Sequence, residues 1–213
     1  YDAVISNYFN KFNNINFPKR KILYTNLMEN LRYGENPHQI GAFYSQNKRN
    51  KLEQIHGKTL SYNNYSDIFA ALTISKSLPK NTGTVIVKHG NPCGVSAIKN
   101  NLDSYKSALE TDPISAFGGI VSCNYKITQK LASMLNKIFL EVIVANGFDK
   151  KALKILKSKK NLRLIDSSKI TFDEVWKFNS LDNFTLIQSE DKKKISKKDF
   201  KIVSKKKPSK KQL

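Results

Sequence analysis

The sequence predicts an α/β protein with helices layered on a sheet. Runs of β-branched residues such as Val85-Ile86-Val87, Ile120-Val121 and Val142-Ile143-Val144 read as buried strands. Between them lie stretches apolar at helical spacing, for example Leu102, Tyr105, Ala108 and Leu109. The two signals alternate through residues 84–165, the pattern of layered α/β folds.

From the amino end, Val4, Ile5, Tyr8, Phe9 and Phe12 recur at helical spacing and predict a short helix over Tyr1 to Phe12. Asn13 to Arg20 is a polar connector, so residues 1–20 are read as the remnant of an upstream domain with its linker and residues 21–213 as the main domain. The first residue is Tyr1 rather than Met, which points to a piece of a longer chain. Ile22-Leu23-Tyr24 and Ala42-Phe43-Tyr44 are short strand candidates. Ser66 is read as the cap of a helix that buries Ile68, Ala71, Leu72, Ser75 and Leu78 and ends at Pro79. A strand over Thr84 to Lys88 follows, and Asn91-Pro92 with Gly90 and Gly94 predicts a turn after it. Asn101 caps the next helix, Thr128 and Asp149 begin two more, and strands are expected at Ile120 to Cys123, Leu140 to Ala145 and Leu162 to Ile165. Beyond Ser167 the period fades, with one further strand candidate at Asn183 to Gln188.

The formal charge of +20 invites a nucleic-acid reading. Its distribution weakens that reading: eleven lysines fall between Lys192 and Lys211, and the others are scattered, some of them on predicted helix faces. Arginine, the residue suited to bidentate contacts with bases and phosphates, is scarce. A lysine-rich nucleic-acid-binding module stays as the alternative, and the same excess would suit an enzyme with anionic substrates. No apolar run is long enough to span a membrane and no signal peptide is visible. Cys93 and Cys123 lack paired spacing, so a reduced, cytoplasmic protein is expected.

Polar and glycine residues concentrate in four loops, Arg32 to Gln39, Lys58 to Asn64, Lys88 to Gly94 and Asp112 to Gly119. At Arg32-Tyr33 two readings are open: a phosphate-bearing ligand, which the guanidinium fork and the ring would suit, or a structural salt bridge. Gly118 and Gly119 permit close backbone approach to a ligand, or only a bend. Lys88 and His89 close a predicted strand, where α/β proteins commonly bind ligands. A zinc deaminase needs H-x-E and P-C-x-x-C, whereas Pro92-Cys93-Gly94-Val95-Ser96 lacks the second cysteine and no histidine precedes x-Glu. No metal is expected. A Lys–His pair remains: a neutral imidazole can take a proton from a nucleophile and an ammonium can stabilise an oxyanion, equipment for acyl-type transfer.

Four motifs in order, Leu31-Arg32-Tyr33-Gly34-Glu35-Asn36-Pro37-His38-Gln39, Gly57-Lys58-Thr59-Leu60-Ser61-Tyr62-Asn63-Asn64, Val87-Lys88-His89-Gly90-Asn91-Pro92-Cys93-Gly94 and Asp112 through Val121, resemble the bacterial AICAR transformylase domain. In that family it is joined to IMP cyclohydrolase. The resemblance implies a zinc-free, cytidine-deaminase-like α/β subdomain, forming the first half of the transformylase domain. It implies formyl transfer from 10-formyltetrahydrofolate, a cosubstrate, to the amine of AICAR, in an intertwined homodimer with no nucleic-acid or membrane partner. It assigns Lys88 and His89 as the catalytic pair and Arg32, Tyr33, Asn64, Phe117, Gly118 and Glu141 as substrate-binding residues. Tyr1 to Phe9 resembles the end of the cyclohydrolase domain. Leu181-Asp182-Asn183-Phe184 stands where the family carries a glycine pair, and the family continues past Leu213 with further ligand contacts, so this length of chain is expected to be inactive alone.

Overall fold

The computed structural model describes residues 1–46, 52–172, 176–193, 195 and 199–209. The chain forms two compact units, Tyr1–Ile170 and Thr171–Leu213. In the first, helix α1 (Asp2–Phe12) precedes the antiparallel pair β1 (Asn26–Leu31) and β2 (Gly41–Ser45). Then come β3 (Glu53–His56), α2 (Tyr62–Ser75), β4 (Thr84–Lys88), β5 (Asn91–Ser96), α3 (Asn101–Thr111), β6 (Ile120–Cys123), α4 (Gln129–Leu135), β7 (Val142–Ala145), α5 (Lys150–Leu156) and β8 (Arg163–Asp166). In the second unit β9 (Trp176–Leu181) and β10 (Phe184–Ser189) form an antiparallel hairpin.

Six strands make a mixed sheet in the order β3-β8-β7-β6-β4-β5. Strands β6, β7 and β8 are parallel, and β3, β4 and β5 join antiparallel at the flanks. Side chains alternate between the two faces, and both faces are buried, which is why these strands read as unbroken apolar runs. Ile86, Val121, Cys123, Ile143, Ala145 and Leu164 pack with Tyr105 and Ala108 of α3, Leu131 of α4 and Leu156 of α5. Ile120, Val142, Val144 and Ile165 instead pack with Tyr65, Ile68 and Leu72 of α2, and Val85 and Val87 pack with its Ala71. The sheet is thus sandwiched between α2 and the three later helices.

The structure departs from the sequence expectations in particular places. Ile22-Leu23-Tyr24 is not a strand: its side chains are substantially exposed, and the partner of β2 begins at Asn26. The cap of α2 is Ser61, not Ser66, so Asn64 lies inside the helix. Asn100, not Asn101, caps α3, its side chain accepting from Leu102 N and Asp103 N. Asn91-Pro92 does not make the turn but begins β5, and the chain reverses at His89-Gly90, between the paired residues Lys88 and Asn91. Proline is tolerated there because β5 is an edge strand. Strand β3, just ahead of the Lys58 to Asn64 loop, was not expected from the sequence and pairs with β8. Strand β9 had no counterpart in the sequence reading. The helix expected at the amino end forms, but it buries none of its residues. No helix among the described residues is long and apolar enough to cross a membrane.

Candidate active site

The four polar loops meet one end of the central sheet. Lys88 is the last residue of β4, and its Nζ donates to the carbonyl of Phe117 at 2.8 Å. Because β4 runs antiparallel to β6, the carboxyl end of β4 is the amino end of the parallel trio. Phe117 and Gly118 accordingly lie just before β6, Glu141 just before β7, and Arg163 begins β8. Lys88 and His89 therefore lie at the carboxyl end of β4, but beside the amino ends of the parallel strands.

His89 follows in the left-handed region, at φ 53°, and Gly90 continues the turn at φ 73°. The His89 side chain is exposed, and among the described residues no hydrogen bond holds its ring. The Gly90 N–H donates to Asp67 Oδ1 at 2.6 Å. Across from this turn, Gly118 adopts φ 75° and its N–H donates to the carbonyl of Phe139 at 2.9 Å. The Phe117 ring rests against Phe139, with centroids 5.4 Å apart, and is 58% exposed. A Cβ on Gly119 would come within 2.9 Å of the Val87 carbonyl, so this loop runs close against β4. The loop begins at Asp112, whose carboxyl is held below its ordinary value by side-chain and backbone hydrogen bonds from Ser115.

Asn64 is buried at the third position of α2 and completes a capping box with Ser61. Ser61 N–H donates to Asn64 Oδ1 at 3.1 Å, and Asn64 N–H donates to Ser61 Oγ at 3.2 Å. With Oδ1 used as the acceptor, the amide must present Nδ2 elsewhere. It donates to Glu141 Oε2 at 2.8 Å. The same carboxylate oxygen stands 3.6 Å from Arg163 Nη1, and Arg163 Nε donates to the carbonyl of Thr59 at 3.0 Å. Glu141 is the odd polar residue ahead of an apolar strand, and this network is where its charge is satisfied.

Arg32 and Tyr33 follow β1, with the guanidinium carbon 5.8 Å from the Tyr33 ring centroid. Among the described residues no carboxylate pairs with Arg32, so the salt-bridge reading of Arg32 does not hold there. Arg32 and Tyr33 line a pocket of about 230 Å³ with Lys58, Thr59, Leu60, Ser61 and Arg163. Arg32, Lys58 and Arg163 make its wall cationic, and the backbone N–H groups at the start of α2 add partial positive charge, a setting that favours an anion.

Direct contacts therefore join Lys88 to Phe117 and Asn64 to Glu141, while Arg32 and Tyr33 share the Arg163 pocket. Sequence reasoning did not single out Lys58, Ser61, Asp67 or Arg163. Arg163 carried one signal, a rare arginine inside a predicted strand. Ser61 carried another, a serine three residues before Asn64, which is capping-box spacing. Among the described residues no group of three or more His, Cys, Asp or Glu side chains could hold a metal ion.

Two solved structures overlap part of the chain. The dCMP deaminase of cyanophage S-TIM5 covers 46% of this chain and 93% of its own at TM-score 0.35 and 13% identity. RibD of Acinetobacter baumannii covers 49% and 36% at TM-score 0.36 and 18% identity. Overlaps this slight assign no subdomain fold. Sequence relatives are much nearer. The bifunctional purine biosynthesis protein PurH of Leptospira biflexa is 43% identical over 98% of this chain and 41% of its own length. Those of Thermoanaerobacter sp. and Bacillus cereus are 39% and 41% identical over 100% and 98% of this chain. The chain spans about two fifths of these relatives, 42% in both of the latter. The AICARFT/IMPCHase bienzyme model matches residues 1–213. With the match running the full length of the sequence, the chain belongs to the AICARFT/IMPCHase bienzyme family.

Proposed function

We propose that this chain forms the amino-terminal part of an AICAR transformylase site, with Lys88 and His89 as its catalytic pair. The observation that carries the reading is the gathering of four polar loops at one sheet end, held together by the Lys88–Phe117 and Asn64–Glu141–Arg163 contacts. In this reading the AICAR amine attacks the formyl carbon of 10-formyltetrahydrofolate. The imidazole of His89 takes the proton that the amine loses. The Lys88 ammonium stabilises the negative charge growing on the formyl oxygen; one of its three N–H donors is engaged by Phe117, leaving two. The bond from the formyl carbon to N10 then breaks, and N10 receives a proton as tetrahydrofolate leaves.

Arg32 and Tyr33 hold the nucleotide, with Arg32 on the phosphate. Asn64, the Phe117-Gly118 backbone and Glu141 complete its surroundings. Residues 1–20 are the end of a cyclohydrolase domain with its linker, and 21–213 belong to the transformylase domain, in a zinc-free deaminase-like arrangement. The complete protein is a cytoplasmic homodimer acting on small molecules, with a second activity, IMP cyclohydrolase, in its other domain.

The test uses the complete protein with AICAR and 10-formyltetrahydrofolate. Lys88→Ala and His89→Ala should each lower turnover by at least about 10², the low end for a positioned acid–base group. Near-normal turnover in both variants would remove the assignment.

A further inference from the structure

Helix α2 reaches the first polar loop, Glu141 and the His89-Gly90 turn through one short run of residues. Asn63 Nδ2 donates to the carbonyl of Glu35 in the first polar loop at 3.2 Å. Asn64 holds Glu141 at 2.8 Å. Tyr65 OH donates to Glu29 Oε2 on β1 at 2.9 Å, and burial, with this bond added, raises its pKa well above the usual phenol value. Asp67 accepts from the Gly90 N–H at 2.6 Å. Asn64 and Asp67 are three residues apart and so lie on neighbouring positions of one helix face. Asn64 thus reaches the substrate-binding carboxylate and Asp67 reaches the catalytic turn from the same side.

The grip adds to what the turn itself supplies. His89 is not glycine and yet sits at φ 53°, in the left-handed region that a non-glycine residue seldom adopts. No hydrogen bond among the described residues fixes the His89 ring, and a Cβ on Gly90 would meet nothing within 4 Å, so the turn stands clear of packing. The strand pairing of Lys88 with Asn91 closes its base, and Asn91 Nδ2 donates to the His89 carbonyl at 3.0 Å. The tether that reaches the turn from another element is the Asp67 carboxylate, and a charged acceptor makes a strong bond to a backbone N–H.

We propose that Asp67 is a positioning residue for formyl transfer: it clamps the Gly90 amide, fixes the His89-Gly90 turn against α2, and so holds the imidazole where it meets the reacting amine. This rests on the reading of His89 as the proton acceptor. The clamp is local and electrostatic, so an amide at the same position, whose Oδ1 can still accept, replaces most of it, while a methyl group does not.

Two measurements on the complete protein separate the clamp from the chemistry. In hydrogen exchange, the Gly90 amide should be protected in the native protein although the turn is exposed; Asp67→Ala should abolish that protection while leaving β4 amides protected, and Asp67→Asn should retain it. In kinetics with AICAR and 10-formyltetrahydrofolate, Asp67→Ala should lower kcat by about tenfold or more, with the KM for AICAR changed less than about threefold, because misplacing a catalytic group costs turnover before binding. Asp67→Asn should recover most of the loss. Adding Asp67→Ala to His89→Ala should lower kcat little further, since the clamp acts through a residue already gone. An unprotected Gly90 amide in the native protein would overturn the clamp, whatever the fate of the variants. So would full turnover in Asp67→Ala beside an impaired His89→Ala. Full turnover in His89→Ala would overturn the catalytic role of His89 and with it the kinetic half of the proposal, while the exchange result would still show whether Asp67 holds the turn.

Discussion

Hairpin β4–β5 and hairpin β9–β10 both reverse the chain over two residues, and in each the first turn residue is a left-handed non-glycine, His89 and Asp182, both at φ 53°. Their strands differ. Val85, Ile86 and Val87 of β4 are fully buried, whereas Leu181, Phe184 and Leu186 of the second hairpin are 71–78% exposed. The first hairpin lies at the flank of a six-stranded sheet, and its turn is tied to α2. The second is a two-stranded sheet by itself. Turn geometry is a local matter that either hairpin can satisfy. The first adds burial of its strand and, among the described residues, a tether to its turn from another element.

The comparison breaks if the two hairpins respond alike to truncation. Ile86→Ala should destabilise the protein by about 3–4 kcal/mol, the usual range for a fully buried aliphatic side chain. Leu186→Ala should stay within about 0.5 kcal/mol. Urea unfolding monitored by circular dichroism measures both, and equal losses would mean that the exposed hairpin is packed in solution.

A smaller but more specific effect is expected at Gly94 in β5. A Cβ there would stand 1.8 Å from the Ala108 carbonyl oxygen, which is backbone of α3 and cannot swing aside. Gly94→Ala should cost about 3 kcal/mol by forcing α3 off the sheet. An unshifted unfolding midpoint would show that the helix can slide without loss.

Thr84, at the start of β4, shares hydrogen bonds with Ser104 and with Tyr125, all within the core. Thr84→Val keeps the shape and removes the hydroxyl, leaving its partners with one bond fewer, and should cost roughly 1–2 kcal/mol. A thermal shift of the variant protein checks it.

The smallest effect near neutral pH becomes visible in alkali. Burial raises the Cys123 thiol from 9.0 to about 12 and the Tyr105 hydroxyl from 10.0 to about 12. Both groups hold their protons more tightly folded than unfolded, so their contribution is complete below about pH 9 and drains away as pH rises toward about 12. The unfolding midpoint should be level to pH 9 and fall beyond it, and Cys123→Val should make the fall shallower. An identical slope in the variant would remove Cys123 from the account.

Much of the fold was legible because hydrophobic periodicity is local. Val85-Ile86-Val87, Ile120-Val121 and Val142-Ile143-Val144 announce buried strands without reference to their neighbours, and Thr128 and Asp149 announce helix starts where α4 and α5 begin. The site was legible as residue types in four loops, but not as an arrangement. Ser66 and Ser61 are both plausible caps in sequence; Ser61 wins because Asn64 returns its hydrogen bond and the resulting first turn faces Glu141. Arg163 and Asp67 escaped notice because their partners, Glu141 and Gly90, lie 22 and 23 residues away in sequence.

By itself, then, the sequence determined the alternation of helices and strands, the missing second cysteine of a zinc motif, and the polar residues offered at each loop, since all of these are properties of neighbouring residues. Only the tertiary structure decided that the chain turns at His89-Gly90 rather than at Asn91-Pro92. Strand pairing sets that register, and an edge strand can hold a proline that a turn signal would otherwise claim. It likewise decided that the loops meet at the amino ends of the parallel strands, because the antiparallel run of β4 beside β6 brings Lys88 to Phe117, and the face of α2 gathers Glu141 and Gly90 to the same side.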